Sequence, residues 1–333
     1  MTGGQLKKRW IGGAALAGVA LAGAGTLLYA SQVERADVQL DRFTVEVDRP
    51  GLPPDGIVVL HLSDFHFGAG DRIQARKIAR LKQLLAGERY DIVALTGDLI
   101  HDAAGLPAAL ALIESLQPRM GAYSCRGNHD YAEYSVWGVF GHTWRETGGA
   151  GRLSLGDLFG AARKLVDFLR KVLRNELVRL PVAFNDMTVM DAGLRSAGVC
   201  PLVNAAVQVA GADLWVAGVD DLTEGHPDLR AALAGVPDEP PLILLAHNPD
   251  IWLDARVAAA DLVLSGHTHG GQVRLPIVGV AHTQGTHLSR QRPAGWFEHG
   301  GTRMFVSRGL GESIPLRFGV RPQAALIRLM PPA

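Results

Sequence analysis

The chain has 333 residues, 47% hydrophobic and 20% charged, enough for one large domain or two small ones with a buried core. That composition excludes a disordered chain, and the length excludes a disulfide-stapled miniprotein. The 33 Lys and Arg balance 33 Asp and Glu, so bulk charge provides no case for a nucleic-acid partner.

A basic flank, residues 1–9 with Lys7, Lys8 and Arg9, precedes an uncharged run from Trp10 to Ala30 rich in Ala, Gly, Leu and Val. As a helix at about 1.5 Å per residue, residues 10–30 reach roughly 30 Å, the depth of a bilayer core. The expectation is one N-terminal transmembrane helix, with the flank in the cytoplasm and the rest of the chain on the extracytoplasmic side of the cell membrane. A cleaved signal segment, which also exports the chain, and a buried helix are the competing readings.

Residues 31–54 read as a linker and an entering edge strand, with alternating Phe43, Val45 and Val47, closed by Pro50, Pro53 and Pro54. Residues 55–333 follow as the main domain. Short apolar runs at Ile57 to Leu62, Ile92 to Leu95, Ala122 to Cys125, Leu214 to Val219, Leu242 to Ala246, Leu262 to Leu264, Met304 to Val306 and Ala324 to Leu329 predict buried strands. Helical patterns at Ile73 to Leu85 and Leu106 to Leu116 lie between some of them. Strands alternating with helices, and a strand-rich C-terminal third, predict a layered α/β sandwich. Residues 134–182 break the rhythm as a helical insertion. From Ser154 to Leu180 the apolar residues keep helical spacing beneath a polar face rich in Arg and Lys, which suits a packed helix, an active-site lid or a helix on a membrane surface. Cys125 and Cys200 sit beside apolar segments and suit buried thiols better than a bridge.

Five polar clusters each follow an apolar run directly: Asp64-Phe65-His66, Gly97-Asp98, Gly127-Asn128-His129-Asp130, His247, and Gly266-His267-Thr268-His269. Residues two apart in a strand share a face, so Asp64 with His66, and His267 with His269, are expected to present paired ligands into one pocket. The intervening glycines are expected to turn the backbone and leave room for substrate. Carboxylate, amide and imidazole donors without thiolate suit Mn, Fe or Zn.

In these blocks the sequence resembles the calcineurin-like metallophosphoesterase superfamily, whose signature is D-x-H, G-D, G-N-H-D or E, a lone H, and G-H-x-H. The resemblance implies an αββα sandwich and two divalent metal ions. Asp64, His66, Asp98 and His269 would hold one, and Asp98, Asn128, His247 and His267 the other. Two such ions bring four positive charges against two from the aspartates, and the excess attracts phosphate and supplies hydroxide near neutral pH. The apolar N-terminus and the Gly-His-Thr-His-Gly-Gly-Gln ending look most like the membrane-associated bacterial phosphodiesterases. Some of these are associated with lipid-linked substrates, including UDP-2,3-diacylglucosamine. The expected reaction is hydrolysis of a phosphodiester or pyrophosphate bond in a phosphorylated small-molecule or lipid-linked substrate. A phosphomonoesterase or phosphoprotein phosphatase, and a catalytically silent metal-binding membrane scaffold, are the alternatives. His129 is the expected general acid, with Asp130 orienting its ring. Arg126 and Gln272 are expected to touch substrate, Arg274 to line the exit, His101 and Asp102 to edge the pocket, and His61 to belong to the core.

Overall fold

A computed structural model describes residues 21–69, 72–134, 181–275, 279–280 and 282–332. Residues up to Pro201 contribute β1 (Gln39–Glu46), β2 (Ile57–Leu62), β3 (Ile92–Thr96), β4 (Gly121–Cys125) and β5 (Val199–Pro201) to one sheet. A second sheet follows from β6 (Ala205–Gln208), β7 (Trp215–Gly218), β8 (Leu242–Leu245), β9 (Leu262–Ser265), β10 (Gly295–His299) and β11 (Thr302–Val306). The last strand, β12 (Gln323–Met330), returns to the first sheet between β1 and β2, giving the order β1-β12-β2-β3-β4-β5 beside β10-β11-β9-β8-β7-β6. The central strands β2 to β5, and β7, β8, β9 and β11, run parallel within their sheets. Their C-terminal ends therefore emerge together, as an α/β site requires.

Strand alternation explains three apolar layers. In β2, Ile57 and Val59 pack between the sheets while Leu60 and Leu62 face the helices; in β8, Ile243 and Leu245 point inward and Leu242 and Leu244 outward. Both faces are covered, which is why these strands read as unbroken apolar runs. The outer layer of the first sheet is built by α1 (Gln74–Leu85), α2 (Leu106–Glu114) and α3 (Met187–Ser196), through Leu81, Leu112, Met190 and Leu194. On the second sheet, α4 (Leu229–Leu233) and short 3₁₀ turns cover Val263 and Met304. His61 occupies the inter-sheet face of β2, 2.8 Å from the Thr96 hydroxyl. Burial lowers its pKa to about 3, so the ring is neutral.

Each of the eight apolar runs forms a strand. The shorter β5 and β6, the aromatic β10 and helix α3 were not anticipated, because their residues are mixed in polarity. Cys125 and Cys200 are free thiols on β4 and β5.

Residues 21–28 are helical, with Leu21, Leu27 and Leu28 between 59% and 74% exposed. Residues 10–20 of the expected membrane helix lie outside the described residues, and among those described no helix is long and apolar enough to cross a membrane. Residues 31–36 depart from the expected linker. Arg317 N donates to Ala30 O at 3.0 Å, Val320 N donates to the Glu34 carboxylate at 2.7 Å, and Arg35 pairs with Glu312, so this stretch is built into the domain. Of the insertion, residues 135–180 and with them the expected helix 154–180 lie outside the described residues. Its two ends meet in a short antiparallel ladder between Ala132–Tyr134 and Pro181–Phe184.

Candidate metal centre

The five clusters occupy the loops that leave β2, β3 and β4 of one sheet and β8 and β9 of the other. The route by which they converge differs from the strand alternation expected. Asp64, His66, Asp98, His267 and His269 all lie beyond their strands with φ between +47° and +68°. That left-handed backbone costs an L-residue on the order of 1 kcal/mol. Hydrogen bonds between loops hold it: Asp64 N donates to Gly97 O and His66 N to Asp98 O, each at 3.0 Å, and His267 N reaches the Asp64 carboxylate at 3.0 Å. Glycine works differently here as well. A Cβ on Gly127 would lie 2.3 Å from Asp98 Oδ1, so its missing side chain makes room for a neighbouring loop.

Two groups of donors result. Asp64, His66, Asp98 and His269 form the first, and Asp98, His247 and His267 the second, with the donor atoms of each group within 4.8 Å of one another. His66 Nε2 lies 3.1 Å from His269 Nε2 and 3.3 Å from Asp98 Oδ2. In the second group His247 Nε2 is 3.2 Å from Asp98 Oδ2, and His267 Nδ1 is 3.1 Å from both His247 Nε2 and Asn128 Oδ1. Asn128 thereby joins the second group and Asp98 belongs to both.

Carbonyl partners set two tautomers. His247 donates from Nδ1 to Thr96 O at 2.7 Å, and His267 from Nε2 to Gln284 O at 3.2 Å, which turns the opposite nitrogen of each ring into the group. These nitrogens and the Asp98 carboxylate converge at 3.1 to 3.2 Å, the arrangement a cation between them would satisfy, so the donor set fits two metal ions. Burial pushes Asp64 up to about 6 and His66 and His269 well below the usual imidazole range; neutral imidazole is the form that binds metal. Burial also disfavours charge on Asp98, yet His247, His129 and His66 hold its carboxyl well below the usual range.

A cavity of about 290 Å³ opens over both groups. Its walls include His129, Tyr134, Glu224, Asn248, Gln284 and Ser313. Tyr134 donates to Glu224 at 2.5 Å and lies 4.7 Å, ring to ring, from His129. Neither Tyr134 nor Glu224 carries a sequence signal, whereas Asn248 stands next to His247 and could have been named. His101 stacks on His129 with ring centroids 5.5 Å apart but is not among the residues that line the cavity. Asp102 instead accepts from Ala69 N at 3.1 Å.

Four other expectations are corrected. Asp130 spends its carboxylate on the amides of Asp98, Leu99 and Gly127, at 2.9, 2.7 and 2.8 Å, and so clamps the loops instead of orienting the His129 ring. Arg126 is held by Asp191 and Tyr131, at 2.5 and 2.7 Å, outside the cavity wall. Gln272 uses both ends of its amide on the neighbouring turn, accepting from Ser313 and donating to Ile314 O and Leu316 O. Arg274 lines a different cavity.

The calcineurin-like phosphoesterase family model matches residues 57–271, more than half of the chain. The chain is 26% identical to the uncharacterized metallophosphoesterase YkuE of Bacillus subtilis over 319 residues, covering 95% of this chain and 93% of that one. It is 26% identical to the UDP-2,3-diacylglucosamine pyrophosphatase LpxG of Chlamydia trachomatis over 320 residues, 92% and 93% of the two chains. Phosphodiesterase YaeI of Escherichia coli is 32% identical over 156 residues, 45% of this chain and 54% of YaeI. With two donor groups sharing one carboxylate at the strand ends, the chain belongs to the calcineurin-like phosphoesterase family, hydrolases that work with two divalent metal ions.

Proposed function

We propose that this protein hydrolyses a phosphodiester or pyrophosphate bond in a lipid-linked substrate at the extracytoplasmic face of a membrane. The observation that carries the chemistry is the pair of donor groups joined at Asp98. Asp64, His66, Asp98 and His269 would hold one divalent ion, and Asp98, Asn128, His247 and His267 the other. Such ions would supply Lewis acidity toward phosphoryl oxygens and a water of lowered pKa. No Lys or Arg lines the cavity among the described residues.

His129 is the general acid. Its backbone N donates to Asp98 Oδ1 at 2.7 Å, and the Asn185 side chain donates to its carbonyl at 3.3 Å. The ring is thereby held on the cavity wall, positioned to protonate the departing oxygen. Tyr134 and Glu224 form the polar wall beside it and orient the group that leaves.

The lipid-linked substrate is supported by the named activity of LpxG over nearly the whole length of this chain, and the membrane location by the uncharged run 10–30 with exposed leucines at its end. The test is turnover of bis-p-nitrophenyl phosphate, p-nitrophenyl phosphate and micellar UDP-2,3-diacylglucosamine with Mn, Fe, Co or Zn. Release of uridine monophosphate from the last is expected. Turnover of the monoester alone moves the protein to the phosphomonoesterases, and no turnover with any metal makes it a scaffold.

A further inference from the structure

A second cavity, of about 640 Å³, shares no lining residue with the one over the metal centre. Its walls include Tyr29, Glu34, Arg274, Arg308, Phe318 and Arg321. Two independent features meet there. Tyr29 follows the helical residues 21–28, whose leucines are exposed, and begins a π-helical turn to Val33, so the cavity opens where the uncharged N-terminal run ends; a Tyr in that position suits the headgroup level of a bilayer.

Charge is the second feature. Among the lining residues three guanidinium groups face a single carboxylate, Glu34, which accepts from Val320 N at 2.7 Å. Arg321 pairs with Asp37 at 3.2 Å with both side chains more than 40% exposed, a contact of little strength in water. Arg308 lies 3.1 Å from Asp41 and 3.2 Å from the Gln39 amide oxygen. Arg274 is exposed and has no ion pair among the described residues. Guanidinium forks match phosphate oxygens in pairs, and a basic cavity beside an apolar helix end attracts anionic lipid.

We infer that this cavity binds the phosphate headgroup of an anionic phospholipid of the surrounding bilayer, seating the domain on the membrane. The inference rests on the membrane location proposed above. The site also touches the metal loop from behind. Gly270 follows His269 and lines this cavity, and the Arg308 side chain packs against it, with Cγ 3.0 Å from where a Gly270 Cβ would stand.

The test uses the full chain in mild detergent with equimolar phosphatidylglycerol and phosphatidylcholine, and native mass spectrometry counts retained lipid. The wild type is expected to retain phosphatidylglycerol about 10-fold over phosphatidylcholine. The double variant Arg274→Ala/Arg321→Ala should fall to about equal retention, with bis-p-nitrophenyl phosphate turnover and melting temperature unchanged. Arg195→Ala/Arg230→Ala, which removes the same charge elsewhere on the surface, should keep the preference. Equal retention by the wild type, or a preference that survives loss of Arg274 and Arg321, overturns the headgroup site. Flotation on pure phosphatidylcholine vesicles separates the two ideas: a chain that does not float refutes the membrane location, and one that floats without lipid preference refutes only the site.

Discussion

The Lys77 ammonium lies 2.7 Å from both carboxylate oxygens of Glu312, in the interior of the domain. Arg35 and Arg317 reach the same carboxylate at 2.9 and 3.0 Å, so three cations share one anion away from solvent. Arg317 then donates to the carbonyls of Arg308, Gly309, Gly311 and Val320. The turn it holds braces the first metal loop, for Leu310 N donates to Ser63 O at 3.0 Å and Gly311 N to Asp64 O.

Glu312→Gln should therefore be far more damaging than Lys77→Met. Removing the anion takes the shared carboxylate away from three buried cations, a loss of about 3–5 kcal/mol or more. Removing Lys77 leaves Glu312 with Arg35 and Arg317 and should cost less than about half of that. Urea unfolding of the two variants gives the comparison; equal losses would mean that Glu312 does not neutralise the cluster.

Stability should also carry the signature of this cluster in pH. Burial pushes Lys77 down to about 8 from an unfolded value near 10.5. Between those values the unfolded chain binds more protons than the folded one, so the Lys77 contribution rises with pH across that window, by on the order of 3 kcal/mol. Glu312 acts at the other end. Although burial raises its pKa, Lys77, Arg317 and Arg35 bring it below the usual value, so its stabilisation is present above about pH 4.5 and is lost as pH falls through the folded value. Unfolding free energies of wild type and Lys77→Met from pH 7 to 10.5 should diverge, with the alkaline rise confined to the wild type.

Asp98→Ala should empty both metal positions, because its carboxylate belongs to both donor groups. Metal analysis of the purified variant should fall from about two ions per chain to close to none, and turnover by about 10³-fold or more. Retention of two ions would remove Asp98 from its bridging position.

His129→Ala is expected to keep its metal while losing about 10²–10⁴-fold in turnover, the range for one general acid. If metal content falls together with activity, His129 acts by holding Asn128 in place.

Gly309 tests the bracing turn. It sits at φ +66°, and an added Cβ would lie 2.6 Å from the Asp64 Cβ. Gly309→Ala should combine backbone strain of about 1–2 kcal/mol with displacement of Asp64, seen as roughly 10-fold weaker metal binding in a titration followed by calorimetry. Unchanged affinity would show that the turn does not set the position of Asp64.

The apolar runs sufficed to locate the central strands and helices α1 and α2, because both faces of each parallel strand are buried and alternation with helices is a local pattern. The seven candidate ligands were legible for a similar reason, since each follows its strand directly. Local pattern did not show how they meet. The positive φ of Asp64, His66, Asp98, His267 and His269 is held by hydrogen bonds from other loops, and a strand-face argument brings the right residues together by the wrong geometry. Arg126, Asp130 and Gln272 looked like active-site groups from their neighbours in sequence, but partners brought by other loops and helices claim them. Nothing in the neighbouring sequence of Lys77, Glu312 and Arg317 marks them as a buried cluster. Their burial depends on Arg35, 277 residues from Glu312 along the chain. The order of residues determined which side chains each loop offers. Only the packing of distant loops decided which of them face a metal and which face one another, because a hydrogen bond or ion pair depends on distance in space.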